Sequence, residues 1–184
     1  EKLAQLAEAL ALRPTLQLSV PAGYNRDEDT RALQTLAVEN QLNELLGNDM
    51  DDDQEMLTRR SRKALEKLVQ KQLPDLSIRE LRKEFERETA SSDGTSFDEV
   101  AYLADLRLRL ENIQPVDDMQ LAGLAETRRA TITGQLTDTN LLGPAQLKMA
   151  DVVESDITDE GWVRVELSLE VADEADSPGL TDAQ

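Results

Sequence analysis

In the run Trp162–Val171, WVRVELSLEV, the nine residues from Val163 on alternate apolar and polar without a break. Val163, Val165, Leu167, Leu169 and Val171 share one face, and Arg164, Glu166, Ser168 and Glu170 share the other. Successive side chains of an extended chain point to opposite faces, so this run reads as a strand with one side buried. A strand cannot stand alone, because its backbone N–H and C=O groups need neighbours. LQLSV (Leu16–Val20) also alternates and is closed by Pro21 and Gly23. AQLKMADVV (Ala145–Val153) supplies a third strand. The sheet is therefore expected to draw on residues 15–21, 145–152 and 162–171. Only the turn SDITDEG separates the last two, which are expected to be antiparallel neighbours.

The rest of the chain has helical spacing. In EKLAQLAEALALRP, Leu3, Leu6, Ala7, Leu10 and Ala11 recur at threes and fours until Pro14. From Asp27 to Gly47 the apolar positions are Leu33, Leu36, Ala37, Leu42 and Leu45, with Asn40 among them. MLTRRSRKALEKLVQKQLP is a basic amphipathic helix without an aromatic residue, read as a solvated face that balances acids elsewhere. Ser77 with Glu80 and Ser96 with Glu99 each have the spacing of a capping box, and ASSDGTS between those helices is a loop. The second box opens a stripe of Val100, Leu103, Leu106, Leu110 and Ile113, ended by Pro115. Asp117 or Asp118 caps a last helix with Leu121, Leu124, Ala125, Ile132 and Leu136 on its buried side. Arg128 lies on or beside that stripe. Arg129, about a hundred degrees round, is expected to be the more exposed of the two.

These elements predict a helix-dominant α+β fold. Helices 2–12 and 118–137 cover the small sheet, and a helical insertion occupies residues 27–116. The acidic tail 173–184 lacks packing residues and is expected to be disordered. Aromatics are 3% of the chain, so Leu, Val, Ile and Ala must build the core.

Composition narrows function. The net charge of −18 repels nucleic acid and anionic lipid headgroups. With no cysteine and no histidine, thiol and imidazole catalysis and Cys/His zinc sites are excluded. Asp49, Asp51 and Asp53 alternate as in a calcium loop. The glycine required at its sixth position is missing, however, and Arg60 holds the twelfth in place of Glu. No acid sits in an apolar run that would raise its pKa for glycoside hydrolysis. No metal, cofactor or catalytic residue is assigned, and no stretch is long enough to span a membrane. A chain opening at Glu1 in place of Met is expected to be a segment of a longer protein.

The order of the pieces resembles a known pattern. LAQLAEALALRPTLQLSVPAG resembles the first helix and strand of OmpA-like domains, which grip peptidoglycan in bacterial envelopes. LAETRRATITGQL resembles their second helix, matched here by Leu124, Ala125, Arg128, Ile132 and Leu136. LLGPAQLKM and WVRVELSLEV are similar to the following strands. An OmpA-like core in two halves (1–26 and 117–172) around a helical insertion resembles a domain of unknown function in large AsmA-related proteins of Gram-negative bacteria. The matching positions are Arg13–Pro14, Leu16, Leu18, Val20, Gly23, Asp29, Ala32–Leu33 and Gln114–Pro115–Val116. The resemblance implies a non-enzymatic periplasmic scaffold or interaction module. Its parent would be anchored in the inner membrane and linked to outer-membrane biogenesis or lipid transport. Its partners would be envelope proteins or other regions of its own parent chain. The alternative it implies is a peptidoglycan anchor. Such anchors grip a diaminopimelate residue with an Asp just after the first strand and the Arg of the second helix. The Arg is matched by Arg128. The Asp position, three after Gly23, holds Arg26, with Asp27 and Asp29 close by. Arg128, Arg26, Asp27 and Asp29 are therefore the candidate ligand or structural ion-pair residues, with Arg128 expected to be held by an acid of the loop after the first strand.

Overall fold

The computed structural model describes residues 2–47, 54–88, 95–138 and 142–171. Along the chain run α1 (Lys2–Ala11), β1 (Leu16–Tyr24), α2 (Arg26–Leu46), α3 (Gln54–Gln72), α4 (Ile78–Glu84), β2 (Glu86–Glu88), β3 (Thr95–Phe97), α5 (Glu99–Asn112), α6 (Asp118–Thr137), β4 (Leu147–Glu154) and β5 (Ser168–Val171). This is a helix-dominant α+β fold. The chain divides into two compact units, one of Glu1–Asp29 with Asp117–Gln184 and one of Thr30–Val116. The acidic stretch around Asp49–Asp53 and the tail from residue 172 lie outside the described residues, so the calcium-loop and tail readings have no structural counterpart here.

The first unit is built on β1, the central strand of a sheet ordered β4-β1-β5. β1 pairs in parallel with β4, Leu18 opposite Leu147 and Val20 opposite Met149. It pairs antiparallel with β5, Leu16 opposite Val171 and Leu18 opposite Leu169. The expected adjacency of β4 and β5 is thus wrong, because β1 lies between them. Burial shows why: Leu18, Ser19, Val20, Ala22 and Gly23 are covered on both faces, as only a central strand can be, whereas β4 and β5 are mostly exposed. The polar face carries an ion pair between the outer strands, Lys148 Nζ to Glu170 Oε2 at 2.8 Å. Their register partners on β1 are Ser19 and Gln17.

Pro21 does not end β1, which runs on to Tyr24, but it does disturb both pairings. The register with β4 slips between Val20 and Ala22. The ladder with β5 stops at Ser19–Ser168. Proline has no N–H to donate, so a ladder through it needs a bulge or ends there. Only the last four residues of the predicted 162–171 strand are therefore β5. Upstream, Ile157 and Val163 form an isolated antiparallel bridge, closed by a turn with Gly161 at φ +82. Val163, Val165 and Leu167 are half-buried as the alternation predicts, but Leu169 and Val171 at the far end are exposed.

On the other face, Leu18, Val20, Ala7, Leu10, Leu136 and Leu142 make one apolar cluster, with Leu3, Leu6, Leu16, Ile132, Leu147 and Leu167 packed around it. Asp117 caps α6 with a full capping box: its side chain accepts from Gln120 N, and the Gln120 side chain accepts from Asp117 N.

The second unit has its own core of Val38, Leu42, Ala64, Leu65, Leu68, Val69, Leu81, Tyr102, Leu106 and Leu110. Two helix faces differ from expectation. Val38 and Leu42 are buried on α2, while Leu36, Asn40 and Leu45 are exposed. On α5 the buried stripe is Tyr102, Leu106 and Leu110, with Val100 and Ile113 exposed. A stripe at i, i+4 steps past 100 and 113 once the tyrosine is counted as core. Ser77 caps α4, accepting from Glu80 N, which is one half of the box that its spacing suggests. Ser96 does not cap α5: it lies in β3, and Asp98 caps by accepting from Ala101 N at 3.0 Å.

Tyr102 is fully buried, with its ring edge-on to Phe85 and Phe97 at 5.6 and 5.2 Å. Its hydroxyl donates to Glu66, which Arg82 also holds. Burial, above all, pushes its ionisation up to about 12. Gln41, Gln72 and Gln114 close a ring in which Gln41 donates to Gln114, Gln114 to Gln72 and Gln72 to Gln41. Gln114 also donates to the Leu110 carbonyl. Such a ring satisfies polar groups that would be costly to bury alone.

Candidate functional site

The end of β1, the first turn of α2 and α6 meet at Arg128. β1 ends at Tyr24, and Asn25 opens α2. The Asn25 Oδ1 accepts from Glu28 N at 3.1 Å, and the Asn25 N donates to Asp29 Oδ2 at 2.8 Å. Its Nδ2 donates to the Ser155 carbonyl at 2.9 Å, fixing the start of α2 to the chain after β4. Asn is among the preferred N-cap residues, and acids in the first turn suit the positive end of the helix dipole. Asp27, Glu28 and Asp29 are thus the first turn of a helix, not a loop.

Arg128 reaches this turn from α6. Its Nη1 donates to Asp29 Oδ2 at 2.6 Å and its Nη2 to Asp29 Oδ1 at 2.5 Å, a bidentate pair. Nη1 also lies 3.4 Å from the Gly23 carbonyl. The Asp29 side chain is 3% exposed and that of Arg128 is 32%. Burial alone would push the Asp29 carboxyl up. The hydrogen bonds from Arg128 and Asn25 N, with the charge of Arg128, outweigh it and hold Asp29 below the usual carboxylate range. Gly23 beside it is closely approached: a Cβ there would lie 3.1 Å from both Ser155 Oγ and Val165 Cγ2, so those side chains would have to shift by a few tenths of an ångström.

The other candidates stand apart from this pair. Arg26 points to Asp118 at 2.8 Å and to Glu154 at 3.8 Å, with all three side chains at least half exposed. Such pairs are worth about 1 kcal/mol at most. Asp27 is exposed and has no ion-pair partner among the described residues. Arg129 differs from expectation. Its side chain is 16% exposed, less than that of Arg128, and it binds Glu126 and the Ala150 carbonyl of β4. A position a hundred degrees off the stripe still falls under the edge of the sheet. Asn25 escaped the sequence reading, although Asn directly before an acidic helical turn is a capping signal.

In chemical terms the centre is closed. Both carboxylate oxygens of Asp29 and both terminal nitrogens of Arg128 are engaged with each other, and a ligand carboxylate on Arg128 would have to displace Asp29. A cleft of about 250 Å³ nearby is lined by charged Glu154, Asp156, Arg164 and Glu166, all exposed. No protein-family model matches the chain, and no curated protein and no solved structure match it either. Among the described residues, no helix is long and apolar enough to cross a membrane.

Proposed function

We propose that this chain is a non-enzymatic interaction or scaffold module of an AsmA-related Gram-negative envelope protein. It works in the periplasm, in a parent anchored to the inner membrane and linked to outer-membrane biogenesis or lipid transport. Its partners are envelope proteins or other regions of its own parent chain. The observation that carries this reading is the pairing of Arg128 with Asp29. A peptidoglycan anchor of the OmpA-like kind needs an arginine and a carboxylate free to grip the two ends of a diaminopimelate zwitterion. Here the arginine is spent on an internal partner, and the position three after Gly23 holds a cation, Arg26. The lowered carboxyl of Asp29 suits a permanent ion pair and not a proton donor.

Adding a diaminopimelate-containing muropeptide should leave the melting temperature unchanged. A ligand that binds only the native state raises the melting temperature by mass action. A dose-dependent rise that vanishes in Arg128→Ala would replace the scaffold reading with the peptidoglycan anchor.

A further inference from the structure

The cationic side of α3 plays no part in the Arg128 site. Arg59, Arg60, Arg62, Lys63, Lys67 and Lys71 share this one helix, in a chain whose net charge is −18. Arg62 is held by Glu99 at 3.0 Å. Lys63 and Lys67, one turn apart and both exposed, have no ion-pair partner among the described residues. They stand on the rim of a cleft of about 230 Å³ lined also by Leu45, Leu46, Ala64 and Arg60. Its floor is apolar: Ala64 is 7% exposed, Leu46 packs on the core of the second unit, and Leu45 is left 41% exposed.

Size and charge select the occupant. Small-molecule sites run from about 300 to 1,000 Å³. A cleft below that range suits an aliphatic side chain or two projecting from a peptide, the usual anchor of a helix laid in a groove. The cations on the rim call for carboxylates beside that anchor. An extended anionic membrane fits less well. α3 has no aromatic residue to seat in an interface, and a surface that broad would also face the acidic excess of the rest of the chain. A short segment senses charges within about 8 Å, the screening length at physiological salt. We infer that the cleft between the end of α2 and α3 docks an acidic amphipathic segment of a partner protein. An aliphatic anchor lies on Leu45, Leu46 and Ala64, and carboxylates lie on Lys63 and Lys67. The inference concerns the second unit alone, and its test reads out separately from that of Arg128.

The test is fluorescence anisotropy with a labelled helical peptide carrying a leucine flanked one turn away by glutamates. The intact chain should bind it saturably at low salt and more weakly at physiological salt. Lys63→Glu/Lys67→Glu should weaken binding about tenfold or more, and Leu45→Asp should weaken it as well. These positions are exposed, and unchanged circular dichroism melts would show that the variants are folded. Lys63→Ala/Lys67→Ala serves if the charge reversal perturbs the fold. Three results would overturn the inference: no saturable binding, equal affinity in the lysine variants, or failure to bind the peptide with co-sedimentation on anionic phosphatidylglycerol vesicles.

Discussion

Asp29 and Arg128 show how a charge comes to be tolerated inside an acidic protein. Taking a carboxylate out of water is costly, and bidentate contact with a guanidinium offsets that cost only while both partners are present. Arg128→Ala would leave Asp29 buried beside a single N–H donor, at a cost of about 3 kcal/mol. Asp29 also sets a pH dependence. Its folded pKa is depressed, so its stabilisation is fully present above the ordinary carboxylate value of about 3.9 and is lost as pH falls through the lower folded value. The gap in melting temperature between the native chain and Asp29→Asn should therefore be widest near neutrality and close in acid. A gap that stays constant down to acid pH would mean that Asp29 is not ionised in the fold. The sequence made the arginine legible, because it recurs with an apolar stripe at fours. It could not single out the acid, since Asp27, Glu28 and Asp29 are chemically alike, and only the helical rotation set by Asn25 aims the third of them inward.

At the scale of elements, local signals were legible where the chemistry is local. The Asp117 cap, the helix closed by Pro14 and the alternation of Val163, Val165 and Leu167 ahead of β5 all depend on neighbours a few residues away, whereas β5 itself is exposed on both faces. Strand order was not legible, because it depends on which strand can be covered on both faces. The short residues Ser19, Ala22 and Gly23 give that role to β1, and the length of Ser155–Leu167 lets the chain pass to its far side. The middle of the α5 stripe, Leu103, Leu106 and Leu110, was legible, but its ends Val100 and Ile113 were misplaced because Tyr102, an aromatic in an aliphatic protein, was not counted as core. The inward face of the chain leading into β5 can be measured. Leu167 is half-buried against the apolar cluster and Ser168, the first residue of β5, is exposed. Leu167→Ala should cost about 1–3 kcal/mol, the lower part of the usual core range because the site is only partly covered. Ser168→Ala should change stability by less than about 0.5 kcal/mol. Equal melts for the two variants would reverse the assignment of faces.

For the whole molecule, the two apolar clusters have no residue in common. One joins Leu18, Val20 and Leu136 in the first unit, and the other joins Leu65, Tyr102, Leu106 and Leu110 in the second. The chain is continuous through α2, whose first turn belongs to the first unit and whose remainder belongs to the second. Cooperative unfolding follows shared packing more than shared backbone, since most helical stability comes from the buried face. The internal polar networks also segregate. The glutamine ring and the Glu66–Arg82–Tyr102 cluster lie within Thr30–Val116, and the Arg128 pair lies within the first unit. Scanning calorimetry should therefore resolve two transitions. Leu18→Ala and Leu106→Ala each empty a fully buried leucine site and should each cost about 2–5 kcal/mol. Leu18→Ala should lower one transition and leave the other in place, and Leu106→Ala should do the reverse. A single transition lowered by either variant would mean that α2 couples the two cores into one cooperative unit.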